Sequence, residues 1–177
     1  MHSVSRHECF WSTLDRKIHL AHELYEEQGS ALLAHPRIVQ QLELMDERAA
    51  SVSKSMQNTT IPEQCTACAT TSKGGGCCSR AMADENDTIL LLANLLAGNE
   101  ARVQRDDGLE CSFLGPAGCS LRFKPMFCLN YLCSHIRERL APDELQELDR
   151  ASGLLLQSQY RTEQMMLAAL QTFGSID

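Results

Sequence analysis

Apolar residues recur at helical spacing in the first part of the chain. Beginning near residue 10, they follow one another at intervals of three and four residues, which places them on one face of an α-helix. We expect this helix to end near Gly29 or one turn beyond it. The members of this face are Trp11, Leu14, Ile18, Ala21 and Tyr25.

A second helix is predicted from Pro36 to about residue 57. Proline suits the first turn of a helix, and the following apolar residues alternate at intervals of four and three in the manner of a bundle seam. Only a short break around His35 separates the two helices, so we predict an antiparallel helical hairpin over residues 10–57. The seam consists of Ile38, Leu42, Met45, Ala49, Val52 and Met56.

Two further long apolar patterns predict helices in the second half of the chain. ILLLANLLA is apolar on nearly all sides and lies between the acidic start Asp84–Asp87 and Gly98, which predicts a buried central helix over 86–98. Pro142 with two following acids predicts the start of a long helix over 142–173, preceded by a shorter one over 125–140. The apolar set of the long helix is Leu145, Leu148, Leu155, Leu156, Tyr160, Met166, Leu167, Leu170 and Phe173.

Glycine-rich turn signals divide the segment between residues 103 and 123 into short pieces, which predicts one or two small β-hairpins. The whole pattern indicates a single, mainly α domain over residues 1–177: a bundle of about four or five helices with an inserted Cys-rich metal lobe over 62–135 that carries short β-hairpins. Residues 1–9 show no pattern, so we expect a loose terminus in which Cys9 is an ordinary thiol.

Composition and charge narrow the class of protein. The 177 residues are 44% hydrophobic and 22% charged, as in an ordinary globular domain. A formal charge of −7 argues against a nucleic-acid-binding surface. The N-terminal residues form no signal-peptide pattern, and the longest apolar run, Ile89–Ala97, is much shorter than the roughly 20 residues of a bilayer span. We therefore expect a cytoplasmic protein with no nucleic-acid or membrane partner, while a protein partner stays undetermined.

The cysteines carry the candidate chemistry, because eight of the nine lie between residues 65 and 133. Thiolates are the preferred soft ligands for zinc and for iron–sulfur clusters. A reducing compartment disfavours disulfides, and an odd total fits a disulfide framework badly. We predict a metal site, with zinc or an iron–sulfur cluster undecided, whose ligands are Cys65, Cys68, Cys77, Cys78, Cys111, Cys119, Cys128 and Cys133.

The spacing within the first half of this set limits how it can bind. Cys65 and Cys68 have the spacing of a metal knuckle, in which one tight turn directs two sulfurs at the same ion. Cys77 and Cys78 are adjacent, so both side chains reach one tetrahedral centre only with difficulty. They are expected to serve two ions or two corners of a cluster.

The second half raises a different question of geometry. In a continuous helix the side chains of Cys128 and Cys133 would diverge by about 140°. Either the helix begins after Cys128, or only one of the two binds the metal. His135 is close enough in sequence to be a substitute ligand.

This pattern of a CxxC, a CC pair, C-x-F-L, G-C-S-L and K-P-x-x-C-x4-C resembles the YkgJ-type cysteine-cluster family of bacterial proteins, described as zinc- or iron-chelating. The resemblance covers about two fifths of the chain. It implies a bound zinc ion or iron–sulfur cluster, and a related cluster in flagellin lysine methylases implies an iron–sulfur element beside methyl transfer. The chain departs from the family in the longer gap between Cys68 and Cys77, in Lys124 where arginine is common, and in its long flanking helices.

Several functions are compatible with these residues. The favoured one is a metal-binding protein in which thiolates cross-link the lobe. The alternatives are an iron–sulfur redox or methyl-transfer accessory protein and a helical interaction module with structural zinc, to which Met165 and Met166 of the last helix point. Buried unligated thiols, disulfides and a single nucleophilic cysteine explain the paired spacings less well. No catalytic residue is assigned, and whether the chain is an enzyme stays undetermined.

The first predicted helix carries a second candidate metal site. His19, His22 and Glu23 share a helix face. Such a site needs carboxylates from facing helices, and only Glu26 lies nearby. A solvated helix face is the preferred interpretation.

Overall fold

The computed structural model describes residues 3–57, 59, 61, 78–115, 118–130 and 137–177. Within these residues helix predominates, with one two-stranded antiparallel sheet, and the predicted mainly α class is confirmed. The elements are α1 (Arg6–Trp11), α2 (Leu14–Leu33), α3 (Pro36–Gln57), α4 (Arg80–Asp84), α5 (Thr88–Leu96), β1 (Leu114–Gly115), β2 (Gly118–Cys119), α6 (Met126–Asn130) and α7 (Pro142–Thr172).

Helix α2 is shorter at its start than the apolar pattern predicted. The chain is extended at Ser12, and the Thr13 hydroxyl caps a new helix by accepting from the amide of Arg16. Trp11 therefore lies in α1 and is 77% exposed, so its placement on the buried face of α2 was wrong, as was that of Tyr25. Leu14 and Ala21 are buried as predicted, and the buried face of α2 also includes Leu20, Leu24 and Leu32.

Helix α3 has the predicted limits and the predicted buried face. Ile38, Leu42, Met45, Ala49 and Val52 are buried, and Met56 packs against the same core. The main partner of α3 is α7, while α2 packs mainly along α5. These four helices thus form two contacting pairs that share one apolar core.

Helix α5 is the buried central helix expected from the sequence. All nine of its residues are buried. One carboxylate oxygen of Asp87 accepts hydrogen bonds from the amides of Ile89 and Leu90, both at 2.8 Å, and so caps the first turn. Gly98, with a φ of +77°, ends the helix in the left-handed conformation that glycine adopts readily.

The N-terminal segment is ordered by the other end of the chain, so the expected loose terminus was wrong for the described residues. The amide of Val4 donates to the carbonyl of Ser175 at 2.9 Å, and the amide of Asp177 donates to the carbonyl of Val4 at 3.2 Å. Ser5 then caps α1, and Cys9 is fully buried. These contacts join residues about 170 positions apart, which local spacing does not reveal.

Helix α7 begins at Pro142 as predicted, and the carboxylate of Glu144 accepts from the amide of Ala141 at 2.9 Å. Its apolar set was partly wrong, because Tyr160 is 64% exposed and Phe173 is also exposed. Small polar residues take part of the buried face instead. The hydroxyls of Ser158 and Thr162 donate to carbonyls of their own helix at 2.8 Å, so they are buried without losing a hydrogen bond.

The predicted small hairpin is present as β1 and β2, with Leu114 opposite Cys119 and Gly115 opposite Gly118. Of the helix predicted over 125–140, the structure shows α6 over Met126–Asn130, and residues 131–136 lie outside the described part of the chain. Residues 138–140 are not helical, so the predicted end of this helix was wrong. None of the described helices is both long enough and apolar enough to cross a membrane.

Candidate metal centre

Half of the predicted metal ligands fall in the described part of the chain. Cys78, Cys111, Cys119 and Cys128 are described, and each can be placed relative to the helices. The remaining predicted residues, which lie outside the described residues, are Cys65, Cys68, Cys77, Cys133 and the substitute ligand His135.

A short antiparallel pairing brings the two halves of the cysteine motif together. The amide of Cys111 donates to the carbonyl of Cys78 at 2.8 Å, and the amide of Arg80 donates to the carbonyl of Leu109 at 3.1 Å. Between them, Ser79 and Glu110 form an isolated antiparallel bridge. The last cysteine of the first half therefore lies beside the first cysteine of the second half.

The hairpin places the next cysteine on the same side of the fold. The amide of Leu114 donates to the carbonyl of Cys111 at 2.9 Å, and Leu114 pairs with Cys119 across the hairpin. The amide of Ser120 donates to the carbonyl of Phe113 at 2.9 Å, and the Phe113 ring is fully buried in the core. Cys111 and Cys119 are thus held by one tight unit that Phe113 anchors.

Asn94 of α5 holds the segment that leads from the hairpin to α6. Its side-chain oxygen accepts from the amides of Arg122 and Phe123 at 2.9 and 3.0 Å. Its side-chain nitrogen donates to the carbonyls of Leu90 and Phe123, both at 3.0 Å. Asn94 is fully buried and fully bonded, which makes it a rigid anchor for this segment. The sequence indicated it only as the single polar residue in the apolar run.

Two further side chains attach the same segment to other helices. The amide nitrogen of Gln159 on α7 donates to the carbonyl of Lys124 at 3.0 Å. Arg122 donates to a carboxylate oxygen of Asp46 on α3 at 2.7 Å and to the Asp46 carbonyl at 3.1 Å. Three helices of the bundle therefore fix the chain immediately before Cys128.

The described thiols influence one another electrostatically. Burial raises the pKa of Cys111 to about 11, with smaller contributions from Cys119 and Cys78. Cys128 is exposed in part, yet enough protein surrounds its sulfur for burial to raise its pKa to about 12, and Cys119, Cys111 and Cys78 each add to this rise. Because Coulomb interactions weaken with distance, these four thiols share one neighbourhood.

Among the described residues, no group of three or more histidine, cysteine or acidic side chains is arranged to hold a metal ion. The predicted ligand set extends beyond these residues, so its full geometry stays a prediction. Helix α6 begins at Met126, so the interpretation in which the helix begins only after Cys128 was wrong.

The second candidate site has the character of a solvated helix face. A ring nitrogen of His22 contacts the carbonyl of Ala101 at 3.2 Å, and His19 pairs with Glu23 at 3.2 Å on an exposed surface.

Cys9 also lies apart from the cysteine cluster. Burial raises the pKa of Cys9 to about 11, and the charged groups that contribute to the rise are carboxylates, Asp87 first.

Comparison of the chain with models of protein families, with curated proteins and with solved structures finds no match in any of the three. The resemblance to the YkgJ-type family therefore rests on the order and spacing of the cysteines and on the residues around them.

Proposed function

We propose that this chain is a metal-binding protein of the cysteine-cluster type, which holds zinc or an iron–sulfur cluster through clustered thiolates. The observation that carries the proposal is the 2.8 Å hydrogen bond from the amide of Cys111 to the carbonyl of Cys78. It brings together cysteines from the two halves of the motif, which the whole of α5 separates in sequence. Clustered thiols suit both kinds of metal centre.

The surrounding scaffold supports the proposal. The two strands of the hairpin are only two residues long, which is too short for a hairpin to be stable by itself. Asn94, Asp46 and Gln159 hold the neighbouring segment from three helices. A metal bound by thiolates would complete this attachment by cross-linking the pieces of the lobe.

The thiols that are described fit a reducing compartment. Cys9, Cys111, Cys119 and Cys128 form no disulfide. Reduced thiols are the form that zinc and iron–sulfur clusters need, and the cytoplasm maintains them. We therefore place the protein in the cytoplasm as part of the proposal.

An iron–sulfur centre for redox or methyl-transfer accessory chemistry is the main alternative within this proposal, and the resemblance to the cysteine cluster of flagellin lysine methylases favours it. The interaction module is less well supported. Met166 is fully buried and Met165 is partly buried against the core, so both methionines contribute to the packing of the bundle.

Anaerobic purification followed by metal analysis and a visible spectrum tests the proposal. A colourless protein with stoichiometric zinc identifies a zinc site. A brown protein with iron and acid-labile sulfide identifies an iron–sulfur cluster. A colourless protein that binds neither metal, even after anaerobic reconstitution, contradicts the proposal.

Variants separate loss of a ligand from general unfolding. Cys119→Ser and Cys128→Ser should lower the metal content per folded chain. Cys9→Ala is the matched control, because Cys9 is a fully buried thiol of the core. It should lower thermal stability and leave the metal content unchanged. Unaltered metal content in both serine variants would remove these two residues from the site.

A further inference from the structure

A polar cavity lies between α3 and the segment that leads from the hairpin to α6. Its volume is about 190 Å³. An apolar cavity of about 150 Å³ admits a benzene molecule, so this one has room for a ligand of several non-hydrogen atoms. The polar part of its described lining consists of Ser53, Asn99, Cys119, Ser120, Arg122 and Lys124.

The lining of the cavity supplies hydrogen-bond donors and positive charge. Its two serine hydroxyls and the side-chain amide of Asn99 can donate, and Arg122 and Lys124 are cations. None of the described lining residues is acidic. The whole chain has a formal charge of −7, so the cavity is a local concentration of positive charge on an acidic protein. Such a lining favours an anionic ligand.

The charge of Lys124 is the one that a ligand can use. Arg122 is already paired, because its Nε donates to a carboxylate oxygen of Asp46 at 2.7 Å and its Nη2 donates to the Asp46 carbonyl at 3.1 Å. Asp46 therefore neutralises Arg122 and fixes its guanidinium group, while neither contact uses Nη1. No described carboxylate forms an ion pair with the ammonium group of Lys124.

Ser120 gives an independent indication of a ligand. Its hydroxyl oxygen is shielded from solvent and has no hydrogen-bond partner in the described part of the chain. Shielded polar atoms in proteins are nearly always paired with protein, water or an ion. Rotation about the Cα–Cβ bond redirects this hydroxyl, so an anion in the cavity can supply the missing partner.

The wall of the cavity is held in place by the rest of the fold. The amide of Ser120 donates to the carbonyl of Phe113 at 2.9 Å, and the amide of Arg122 donates to the side-chain oxygen of Asn94 at 2.9 Å. Gln159 donates to the carbonyl of Lys124 at 3.0 Å. Because these bonds fix the backbone without a ligand, binding costs little additional ordering of the chain.

We propose that this cavity binds a phosphate group, either as inorganic phosphate or as part of a small phosphomonoester. The donors come from three sides: Ser53 from α3, Asn99 from the turn after α5, and the segment 119–124. A tetrahedral oxyanion presents acceptor oxygens in several directions, whereas a planar carboxylate has only two. Charge-assisted hydrogen bonds from Lys124 and from Nη1 of Arg122 supply much of the affinity. The site does not require the proposed metal, although Cys119 borders it.

The test is isothermal titration calorimetry of the full chain in a chloride buffer of about 0.15 M ionic strength, with inorganic phosphate and glycerol phosphate as separate probes. Saturable binding of either probe supports the proposal, and the tighter of the two identifies the source of the phosphate group. Binding of neither probe overturns it.

A pair of lysine variants separates the cavity from general charge effects. Lys124→Met keeps an apolar stem and removes the charge, so it should weaken phosphate binding by about tenfold or more. Lys54→Met is the matched control, because Lys54 is an exposed residue of α3 outside the described lining. Salt screens its charge, so affinity should stay within about twofold of the wild type. Equal losses for the two variants would overturn the proposal.

Metal content distinguishes the proposal from a role of Lys124 as a counter-charge to the nearby thiolates. Weakened phosphate binding with unchanged metal content supports the phosphate site. Lower metal content with wild-type phosphate binding overturns it. Should Lys124→Met fail to fold, NMR of the isotope-labelled wild-type protein decides the question. Saturable shifts of the Asn99 side-chain amide and of the backbone amides of 119–124 on addition of phosphate support the site, and their absence overturns it.

Discussion

The amide nitrogen of Cys111 donates to the carbonyl oxygen of Cys78 across 2.8 Å. Cys78 precedes α4 and α5 in the sequence, and Cys111 follows them. The chain that enters this helical segment is therefore paired with the chain that leaves it. Backbone pairing therefore sets the position of Cys78 relative to Cys111.

Removal of the proposed metal should weaken the protein without abolishing its helices. Helices α2, α3, α5 and α7 share an apolar core in which Cys111 is the one predicted metal ligand among the described residues. We expect a chelator-treated sample to keep most of its far-ultraviolet circular dichroism and to unfold at a lower temperature than the metal-loaded sample. Complete loss of the helical signal on chelation would show that the metal holds the bundle itself.

Asn94→Ala should be among the most destabilising single substitutions. It leaves the amides of Arg122 and Phe123 and the carbonyl of Phe123 without their partner. Each unsatisfied buried group costs about 1–3 kcal/mol, so we expect a loss of about 3 kcal/mol or more in the free energy of unfolding, measured in urea.

Asn99→Ala is the control for this substitution. The side chain of Asn99 makes two long contacts of 3.4 Å and lies nearer the surface. Its removal should cost less than about 1 kcal/mol. Equal losses for the two variants would contradict the role of Asn94 as an anchor.

The ion pair between Arg122 and Asp46 should contribute more than an ordinary surface pair. It combines a 2.7 Å contact to the carboxylate with a 3.1 Å bond to the backbone carbonyl, and Arg122 is only partly exposed. A double-mutant cycle should give a coupling of about 1 kcal/mol. The same cycle on Arg102 and Glu100, which are both well exposed, should give nearly none. A larger coupling in the second pair would refute this ranking.

Two glycine-to-alanine substitutions should have opposite effects on the free energy of unfolding. Gly98 has a φ of +77°, and no atom would contact an added Cβ, so Gly98→Ala should cost about 1 kcal/mol through backbone strain alone. Gly153 lies inside α7 with equally open surroundings, so Gly153→Ala should stabilise the helix by about 0.5–1 kcal/mol. Denaturant unfolding measures both, and the same sign for the two would contradict the assigned backbone conformations.

The helices that the sequence predicts well are those whose signals are local. Helix α3 has the predicted limits because Pro36 and the spacing of its apolar residues act within a few turns. Helix α5 is recognisable because Asp87 caps it and Gly98 ends it. Neither conclusion needed a residue from elsewhere in the chain.

The errors arose where distant residues decide the structure. The order around Val4 comes from hydrogen bonds to Ser175 and Asp177, which no local pattern indicates. Tyr160 fits the apolar spacing of α7, but Ser158 and Thr162 take buried positions because their hydroxyls bond to their own helix. An analysis of apolar spacing does not identify buried polar residues whose hydrogen bonds are satisfied within their own helix.

In the candidate site, too, some features could be predicted from the sequence and others depend on distant residues. The cysteines are visible in the sequence because their chemistry and paired spacing are distinctive. The bridge between Ser79 and Glu110 is not, because it involves a single residue pair with no strand pattern around it. Asn94 could have been noticed as the one polar side chain in the apolar run, but its partners at Arg122 and Phe123 are defined only by the fold.

Gln159 and Glu163 are four residues apart on α7 and therefore lie one turn apart on the same side of that helix. Gln159 holds the carbonyl of Lys124, shortly before Cys128, and Glu163 contacts Asp87. A displacement of this turn of α7 would act on both contacts across an axial distance of about 6 Å. This one turn of α7 therefore connects the start of α5 to the chain that leads into α6 and Cys128.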